Sequence, residues 1–455
     1  MLKTSRAFDL SCCMVALLGG APLCLAGYAA SQPVGWRTDA RGSYRDAMPP
    51  TRWSATENVV WKSPMPGKSY GSPVIVDDAI FVVSDPAELL RVRATDGEIL
   101  WRRSNTAAEA VGAEQAQKVL AEWNALNDRK RQLERDFNEL RKARPDDKEE
   151  HDRFKKQLES IEQQLSTARR NNPIQADRGS SNTAATPVCD GRHVYAVFGS
   201  GVVAAYTLAG EARWIKFIEG SDLGFGHSSS PVLIGDKLIV HFQDLVALDA
   251  KAGEVVWRTP LSPQHATPIA VRLGTVDAIA SPSGKVVRAS DGKVLFVESA
   301  LQVSEGSSIT QAGVLYAQGD KTSAFKLPTS DAATSLELLW NANASRGRRT
   351  PSPVLHDGLL YGATTEGILD VTDVQTGDVV YRKRLELGEN LYSSVTAAGD
   401  FLYLSSTKGT TLVFKPGREF EEVARNELES LGSNPIFAGR RMYIRGHKNL
   451  YCIGQ

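Results

Sequence analysis

Ser230-Pro231-Val232 and Ala252-Gly253-Glu254-Val255-Val256-Trp257 begin and end one copy of a pattern that recurs along the chain. Another clear copy runs from Ser72-Pro73-Val74 to Asp96-Gly97-Glu98-Ile99-Leu100-Trp101. Each copy starts with a small-Pro-apolar triplet and ends about 30 residues later in an apolar run that closes on an aromatic residue. Self-similarity at a period of about 40 residues is typical of an array of small β-sheets.

Eight starts of this kind occur in the chain. From the second start to the eighth, their middle residues are 44, 37, 40, 45, 41 and 41 residues apart, whereas the first two are 114 apart. The regular steps predict eight units, and the long first step predicts an insertion after the first unit. The starts are Ser72-Pro73-Val74, Thr186-Pro187-Val188, Ser230-Pro231-Val232, Thr267-Pro268-Ile269, Ser307-Ser308-Ile309, Ser352-Pro353-Val354, Ser393-Ser394-Val395 and Asn434-Pro435-Ile436.

Each full unit contains four short runs of β-forming residues separated by turn residues such as Asp96-Gly97. Four strands with their turns need about 40 residues, which agrees with the steps. One such sheet cannot bury both of its faces, so neighbouring sheets must stack, and a ring closes the stack without an exposed end. The sequence therefore predicts an all-β fold, an eight-bladed β-propeller of four-stranded antiparallel blades. A seven-bladed ring with one irregular unit is the alternative.

The two ends of the repeat array indicate how the ring closes. The last unit, 435–453, has three β-forming runs and no fourth, whereas Asn58-Val59-Val60-Trp61-Lys62 has the composition of a fourth run alone. We therefore expect this N-terminal strand to complete the last blade. Five tryptophans in the fourth runs are expected to pack between adjacent blades, because each ring buries a large apolar area. They are Trp61, Trp101, Trp214, Trp257 and Trp340.

Bulk composition and the N-terminus bear on location and on the class of partner. The chain has 455 residues, with 53 Lys and Arg against 53 Asp and Glu, so no overall basic charge favours nucleic-acid binding. Lys3 and Arg6 precede an apolar stretch that ends in small residues, which predicts a signal peptide over 1–30 and a periplasmic or extracellular protein. An uncleaved membrane anchor is the alternative. After cleavage, no membrane span is expected.

The sequence contains little that suggests metal or covalent chemistry. Cys189 and Cys452 are the cysteines that follow the predicted signal peptide, and the sequence leaves open whether they are free thiols or a disulfide. No His-x-x-x-His or Cys-x-x-Cys spacing predicts a zinc site, and no nucleophile-elbow motif predicts a hydrolase. We therefore expect no catalytic residue and no bound metal.

Residues 105–176 differ from the repeats, since glycine and aromatic residues become rare and charges become dense. Apolar residues recur at helical spacing over 120–140 and again over 154–165, on either side of Arg144-Pro145. This pattern predicts an antiparallel helical hairpin, a short coiled coil, inserted in the propeller. The hairpin either only pairs its own two apolar stripes or grips a protein partner, in which case Trp123 is the expected anchor.

The loops that precede the innermost strands of a propeller gather around one mouth of its central channel. In this chain they carry polar and aromatic side chains of mixed charge, which suit a small polar ligand or a loop of a protein partner. Ordinary solvated loops would have the same composition, and the sequence does not separate the two. The candidate binding residues are Lys68, Tyr70, Asn182, His227, His265, Glu305, Arg348, Tyr392 and Asn434.

The segment 247–257 resembles the blade motif of the pyrroloquinoline quinone (PQQ)-like propeller family, as does 93–101, and 371–381 is a degenerate copy. The resemblance covers 58–104 and 177–455. It implies one of two branches: quinoprotein dehydrogenases that hold PQQ and calcium on the propeller axis, or non-enzymatic scaffolds such as the propeller lipoprotein of the outer-membrane β-barrel assembly machinery. The dehydrogenases carry an adjacent cysteine pair over the cofactor. No such pair follows residue 30 here, so the resemblance favours the scaffold branch.

These observations divide the chain into a signal peptide (1–30), an N-terminal lead-in (31–57), a propeller (58–104 and 177–455) and a helical hairpin (105–176). We expect an exported, monomeric, non-catalytic scaffold that binds protein partners of the cell envelope through the mouth loops and the helical arm. The residues do not indicate PQQ or calcium, and no cofactor is expected. The alternatives are a PQQ-dependent quinoprotein dehydrogenase and a module that binds carbohydrate or another envelope polymer.

Overall fold

The computed structural model describes residues 33–175, 181–223 and 226–454, and the predicted signal peptide lies outside them. The described residues form eight β-sheets, which we number 1 to 8 in the order of the eight repeat starts along the chain. Long helices occur only between sheets 1 and 2 in this part of the chain. The predicted mostly-β fold, built from four-stranded antiparallel sheets, is confirmed.

Sheets 1 to 4 follow two strands that precede the repeats, β1 (Ser43–Tyr44) and β2 (Val59–Pro64). Within each sheet the strands lie in chain order, from the innermost outwards. Sheet 1 contains β3 (Val74–Val76), β4 (Ala79–Ser84), β5 (Glu88–Arg93) and β6 (Ile99–Ser104). Sheet 2 contains β7 (Val188–Cys189), β8 (His193–Val197), β9 (Val202–Thr207) and β10 (Ala212–Phe217). Sheet 3 contains β11 (Val232–Ile234), β12 (Lys237–His241), β13 (Leu245–Asp249) and β14 (Val255–Thr259). Sheet 4 contains β15 (Ile269–Leu273), β16 (Val276–Ala280), β17 (Lys285–Arg288) and β18 (Val294–Val297).

Sheets 5 to 8 continue the same order. Sheet 5 contains β19 (Ile309–Gln311), β20 (Val314–Gln318), β21 (Lys321–Lys326) and β22 (Glu337–Asn343). Sheet 6 contains β23 (Val354–His356), β24 (Leu359–Ala363), β25 (Ile368–Asp373) and β26 (Val379–Arg384). Sheet 7 contains β27 (Thr396–Ala398), β28 (Phe401–Ser405), β29 (Thr410–Lys415) and β30 (Glu421–Glu427). Sheet 8 contains β31 (Ile436–Ala438), β32 (Arg441–Arg445) and β33 (Asn449–Ile453).

The two early strands join the last two sheets. β2 pairs antiparallel with β33, with Trp61 opposite Cys452, and is the outermost strand of sheet 8. β1 pairs parallel with β27, with Ser43 opposite Ala397, and adds a fifth, innermost strand to sheet 7. The N-terminal part of the chain is therefore built into the C-terminal sheets.

A tryptophan lies at several boundaries between neighbouring sheets. Trp214 Nε1 donates a hydrogen bond to Ala250 O in the next sheet at 3.1 Å. Its ring lies against Gly253, where an added Cβ would be 2.5 Å from the ring and φ is +70°, so both space and backbone favour glycine. The same arrangement joins Trp61 to Ala94 and Gly97, Trp101 to Leu208 and Gly210, Trp257 to Ala289 and Gly292, and Trp340 to Val374 and Gly377.

A circle of hydrogen bonds joins the starts of the innermost strands. At each start, a backbone N–H donates to the side-chain oxygen of the equivalent residue in the next sheet, at 2.5–3.1 Å. The last of these, from Asn434 N to Ser72 Oγ at 2.9 Å, closes the circle. We call these residues the belt. They are Ser72, Thr186, Ser230, Thr267, Ser307, Ser352, Ser394 and Asn434.

The insertion contains one short helix, α1 (Ala107–Val111), and two long ones, α2 (Ala113–Ala143) and α3 (Lys148–Asn171). The side chain of Asp147 accepts a hydrogen bond from Glu150 N and caps α3. The two long helices lie against each other: the rings of Phe137 and Phe154 stack with centroids 5.9 Å apart. Within the described ranges, no helix is both long enough and apolar enough to cross a membrane.

Candidate functional site

A cavity of about 270 Å³ lies at the belt, and all eight belt residues line it. We call it the central cavity. Residues from the loops before the innermost strands surround it, because these loops converge where the strands start. Six of the candidate residues therefore come together in one place. They are Tyr70, His265, Glu305, Arg348, Tyr392 and Asn434.

Glu305 and Arg348 form the charged part of this lining. Arg348 Nη2 lies 2.9 Å from both Glu305 carboxylate oxygens, and its Nε lies 3.1 Å from Oε1. The hydroxyl of Thr350 also donates to Glu305. Hydrogen bonding to Glu305 raises the pKa of Arg348, so the guanidinium stays charged beside the carboxylate.

Aromatic rings form another part of the lining. The Tyr70 and Tyr392 ring centroids are 6.5 Å apart, and His447 meets the Tyr70 ring edge-on at 5.0 Å. Burial raises the pKa of Tyr70, so its hydroxyl is protonated at neutral pH. His265 also lines the cavity, and burial lowers its pKa. These groups offer flat apolar surfaces and neutral polar atoms to a ligand.

The lead-in supplies a part of the cavity that the sequence analysis missed. Trp36 lines the central cavity together with the belt. Before it, Val34 forms a β-bridge with Cys189 in sheet 2, and after it, β1 pairs with β27 in sheet 7. The chain thus crosses from sheet 2 to sheet 7 beneath the belt. The lead-in therefore not only precedes the repeats but also contributes to the lining of the central cavity.

Arg37 holds this crossing in place. Its side chain is 1% exposed, and it donates to Pro353 O at 2.7 Å and to Val395 O at 2.5 Å. Burial lowers the pKa of Arg37 to about 10, so the guanidinium remains protonated at neutral pH. Arg37, Thr38 and Ala40 have φ values of 51°, 68° and 67°, a strained conformation for residues with a Cβ. The contacts of the buried Arg37 side chain therefore hold residues 37–40 in this conformation.

Three of the nine mouth-loop candidates lie outside the central cavity lining. His227 is 1% exposed against Phe242, with ring centroids 4.5 Å apart, and neither ring nitrogen has a partner in the described part of the chain. Burial lowers its pKa to about 3. Asn182 donates to Pro86 O at 2.7 Å and accepts from Ser200 N at 2.7 Å, so it joins loops of sheets 1 and 2. Lys68 accepts a backbone hydrogen bond from Asp85 N at 3.0 Å.

A second cavity, of about 530 Å³, lies between the helical insertion and sheets 1 and 2. We call it the arm groove. Trp123 and Asn182 both line it, so these two candidates share this site instead of the central one. The guanidinium of Arg169 lies over the Trp123 ring at 5.0 Å from the centroid, and Leu120, one turn earlier, is 55% exposed. The groove thus presents an apolar helix face at the base of the insertion.

The last turn of α3 is fixed to the ring by charge. Arg170 Nε donates to Glu219 Oε1 at 3.0 Å, and its Nη2 donates to Asp244 Oδ2 at 3.0 Å. The carboxylate of Glu219 is 4% exposed and also accepts the backbone N–H of Asp244 at 3.0 Å. Gly220 N donates to Arg170 O at 3.0 Å. The base of the insertion is therefore clamped to sheets 2 and 3.

Comparison with known proteins identifies the family. A family model described as outer membrane protein assembly factor BamB matches residues 51–130, 175–278 and 241–454. The chain belongs to this family. Two curated BamB proteins, from Alkalilimnicola ehrlichii and Legionella pneumophila, are 27% and 26% identical to it over 196 and 197 residues. These matches cover 40% of this chain and 49% of each relative, so the chain spans about half the length of the BamB relatives it matches.

Solved structures with a similar fold include BamB from Moraxella catarrhalis, with a TM-score of 0.56 and 14% identity over 87% of this chain and 96% of that one. The quinohemoprotein alcohol dehydrogenase ADHIIG from Pseudomonas putida HK5 has a TM-score of 0.53 and 9% identity over 90% and 78%. At these identities the likeness concerns the fold alone. The predicted resemblance to PQQ-like propellers of the BamB type is confirmed.

The side chains of the central cavity do not match a calcium site. Calcium takes six to eight oxygen ligands, whereas Arg348 engages both oxygens of the cavity's Glu305. Over 33–175, 181–223 and 226–454, no group of three or more His, Cys, Asp or Glu side chains is placed to hold a metal ion. Cys189 and Cys452 are free, buried thiols. The expectation that the protein uses no cofactor stays a prediction.

Proposed function

We propose that this protein is an exported, non-catalytic scaffold of outer-membrane protein assembly that acts in the periplasm. The observation that carries the proposal is the BamB family match over 51–130 and 175–454. In this proposal, the eight sheets are the blades of one monomeric propeller, β2 completes the last blade, and the signal peptide over 1–30 is removed. The paired helices α2 and α3 form a helical arm.

The proposed partner-binding surface consists of the central cavity's mouth and the arm groove. These two sites adjoin, since Ser181 lines the central cavity and Asn182 lines the arm groove. A single protein partner can therefore contact both. The clamp at Arg170 supports this role, because a base fixed by a buried carboxylate keeps the arm in one position relative to the mouth. Less conformational entropy is then lost when the partner binds.

Apolar side chains form one wall of the arm groove. Val119, Leu120, Trp123 and Ile174 line it, and Leu120 exposes more than half of its surface. Burying such aromatic and aliphatic side chains is the usual source of affinity at a protein interface. We therefore expect an apolar segment of the partner to lie in the groove, and its polar residues to contact the mouth.

Site-specific photocrosslinking in the envelope tests the proposal. A crosslinking amino acid is placed at Leu120 in the groove, at Tyr392 at the mouth, and at Lys251 as a control. Lys251 lies in the hairpin between β13 and β14, at the end of the strands opposite the mouth. We expect Leu120 and Tyr392 to crosslink a component of the outer-membrane assembly machinery, identified by mass spectrometry, and Lys251 not to. Equal capture at all three positions, or none, contradicts the proposal.

The arm is tested by replacing 113–171 with a short Gly-Ser linker. If the arm binds the partner, crosslinking at Tyr392 falls in this variant, and Trp123→Ala lowers it in the same direction. Unchanged crosslinking means that the arm is not the binding element and that the helices only pair with each other.

The quinoprotein alternative has a direct test. The purified protein is mixed with PQQ and calcium, and cofactor absorbance and dye-linked alcohol oxidation are measured. We expect neither signal, since Arg348 engages Glu305. Either signal would overturn the non-catalytic scaffold.

A further inference from the structure

The belt carries hydrogen-bond donors that the protein itself does not use. Seven of its eight residues have hydroxyl groups, and each hydroxyl oxygen accepts a backbone N–H. In the ranges that the structure describes, none of the seven donates its own proton to a protein acceptor, and all line the central cavity at 1–4% exposure. An O–H whose oxygen already accepts a hydrogen bond is a stronger donor.

A buried positive charge lies directly beneath these donors. Arg37 donates to the carbonyl oxygens of Pro353 and Val395, the residues that follow belt residues Ser352 and Ser394. No carboxylate of the described chain lies within ion-pair distance of Arg37; the nearby Asp39 pairs with Arg41 at 3.6 Å. The guanidinium is thus contacted by two carbonyl oxygens and the Trp36 ring, without an ion pair among the described residues. Burying a charge in this way is costly unless an opposite charge comes near.

The rest of the lining does not cancel this field. Glu305 is the cavity's carboxylate, and Arg348 and Thr350 engage it. His265 is neutral at pH 7, because burial lowers its pKa. The cavity therefore combines the polarised hydroxyl donors of the belt, the positive charge of Arg37 and the carboxylate of Glu305, which is already paired with Arg348.

We infer that the central cavity binds a carboxylate group that enters from the mouth. Tyr70 and Tyr392 line the cavity from the mouth loops, and their rings can flank the apolar part of the ligand. A carboxylate is planar and only accepts hydrogen bonds, which suits a circle of donors. Its source is either a small free acid or the carboxyl terminus of a polypeptide. The inference goes beyond the scaffold role and does not require it, because it concerns the purified protein alone.

Isothermal titration calorimetry with benzoate and benzamide tests the inference. The two probes have nearly the same shape, and only benzoate carries a carboxylate. At pH 7 we expect benzoate to bind at least about 10-fold more tightly, since hydrogen bonds to a charged group are the stronger ones. Equal affinity, or no benzoate binding, overturns the inference. Inorganic phosphate binding more tightly than benzoate also overturns it, because the site would then select a different oxyanion.

Two adjacent serines provide a matched pair of variants. Ser394 belongs to the belt and lines the cavity, whereas Ser393 donates to Ser405 O at 2.9 Å and does not line it. We expect Ser394→Ala to weaken benzoate binding by about 3-fold or more, because a hydrogen bond to a charged group is lost. Ser393→Ala should leave the affinity unchanged, even though it also removes a buried hydroxyl. Equal weakening in both variants would mean that a less stable fold, and not the loss of a hydrogen bond to benzoate, lowers the affinity.

Arg37 gives a larger effect. Arg37→Met removes the charge beneath the belt, and we expect benzoate affinity to fall by about 10-fold or more. Arg37→Lys keeps the charge and should retain most of the affinity. Wild-type affinity in Arg37→Met overturns the electrostatic part of the inference. If Arg37→Met does not fold, the serine pair still decides.

The source of the carboxylate is distinguished with a pentapeptide that has either a free or an amidated carboxyl terminus. Tighter binding of the free form, lost in Ser394→Ala, assigns the cavity to a chain terminus. Binding of benzoate without binding of either peptide assigns it to a small free acid. Both results support carboxylate recognition, whereas equal binding of the two peptides contradicts it for polypeptides.

Discussion

The ring of sheets and the helical insertion are stabilised in different ways. At five of its boundaries the ring repeats one contact, a tryptophan packed on a glycine of the next sheet, as with Trp214 and Gly253. In the insertion, Val119 is the only buried residue among the 31 of α2, and Ile161 and Leu165 are the only two among the 24 of α3. Instead, α2 and α3 pack against each other, and the ion pair of Arg170 with Glu219 fixes the base of the insertion to the ring. The difference implies a stable ring carrying an arm that contributes little to global stability.

The largest difference between the two regions is expected when a tryptophan in each is replaced by alanine. Trp257→Ala removes a ring that is 8% exposed between sheets 3 and 4, and we expect it to lower the free energy of unfolding by about 3–5 kcal/mol. Trp123→Ala removes a partly exposed ring on α2, and we expect a loss below about 1 kcal/mol. Urea denaturation of the two variants measures both values. Similar losses would mean that the arm and ring unfold as one unit.

A change of pH should act on the ring through its buried histidines. Burial lowers the pKa of His227 to about 3 and that of His241 to about 4, below the ordinary value of 6.5. Below pH 6.5 the unfolded chain therefore binds protons that the folded ring does not, and stability falls as the pH falls. From pH 7 to pH 5 we expect a loss of about 2 kcal/mol for each histidine.

Urea denaturation at pH 7 and pH 5 checks this dependence. His227→Leu removes one titrating group from an apolar contact with Phe242, so the variant should lose less stability on acidification than the wild type. An unchanged pH dependence in this variant would contradict the burial of an uncharged His227.

The smallest effect is expected at the clamp. Arg170→Met removes the contacts to Glu219 and Asp244, and we expect faster amide hydrogen exchange in the last turn of α3. Because Arg258 still lies 3.7 Å from Glu219 and the Arg170 side chain is half-exposed, global stability should fall by no more than about 1 kcal/mol. Lys155→Met, which removes an exposed ion pair with Asp152, is the control and should leave that turn unchanged. Equal exchange in the two variants would show that the clamp does not hold the arm.

Repetition explains what the sequence predicts well. Trp61 was expected to lie in an orphan fourth strand, and β2 indeed pairs with β33, because an incomplete last unit leaves one strand position open. Tyr70, Glu305 and Tyr392 lie in loops before innermost strands, and the structure brings them to one cavity because these loops converge. In each case the position within the repeat determines the position in space.

Where the chain does not repeat, the sequence was a poor guide. His227 lies in a loop before an innermost strand, as His265 does, but the period of the strands does not determine which way a loop side chain turns. Trp36 and Arg37 lie in a segment with neither helical nor strand periodicity, so nothing placed them under the belt. The one feature of the sequence that could have indicated their position is chemical. A tryptophan stands beside an arginine in a stretch whose pattern does not otherwise predict burial.

The pairing of β2 with β33 joins segments that are nearly 390 positions apart along the chain. A ribosome releases 59–64 long before 449–453, and the outer edge of sheet 8 cannot form until both are present. Until then, unpaired backbone N–H and C=O groups of these strands are free to pair with strands of other molecules. The last sheet can therefore be completed only after the C-terminal strand has been made.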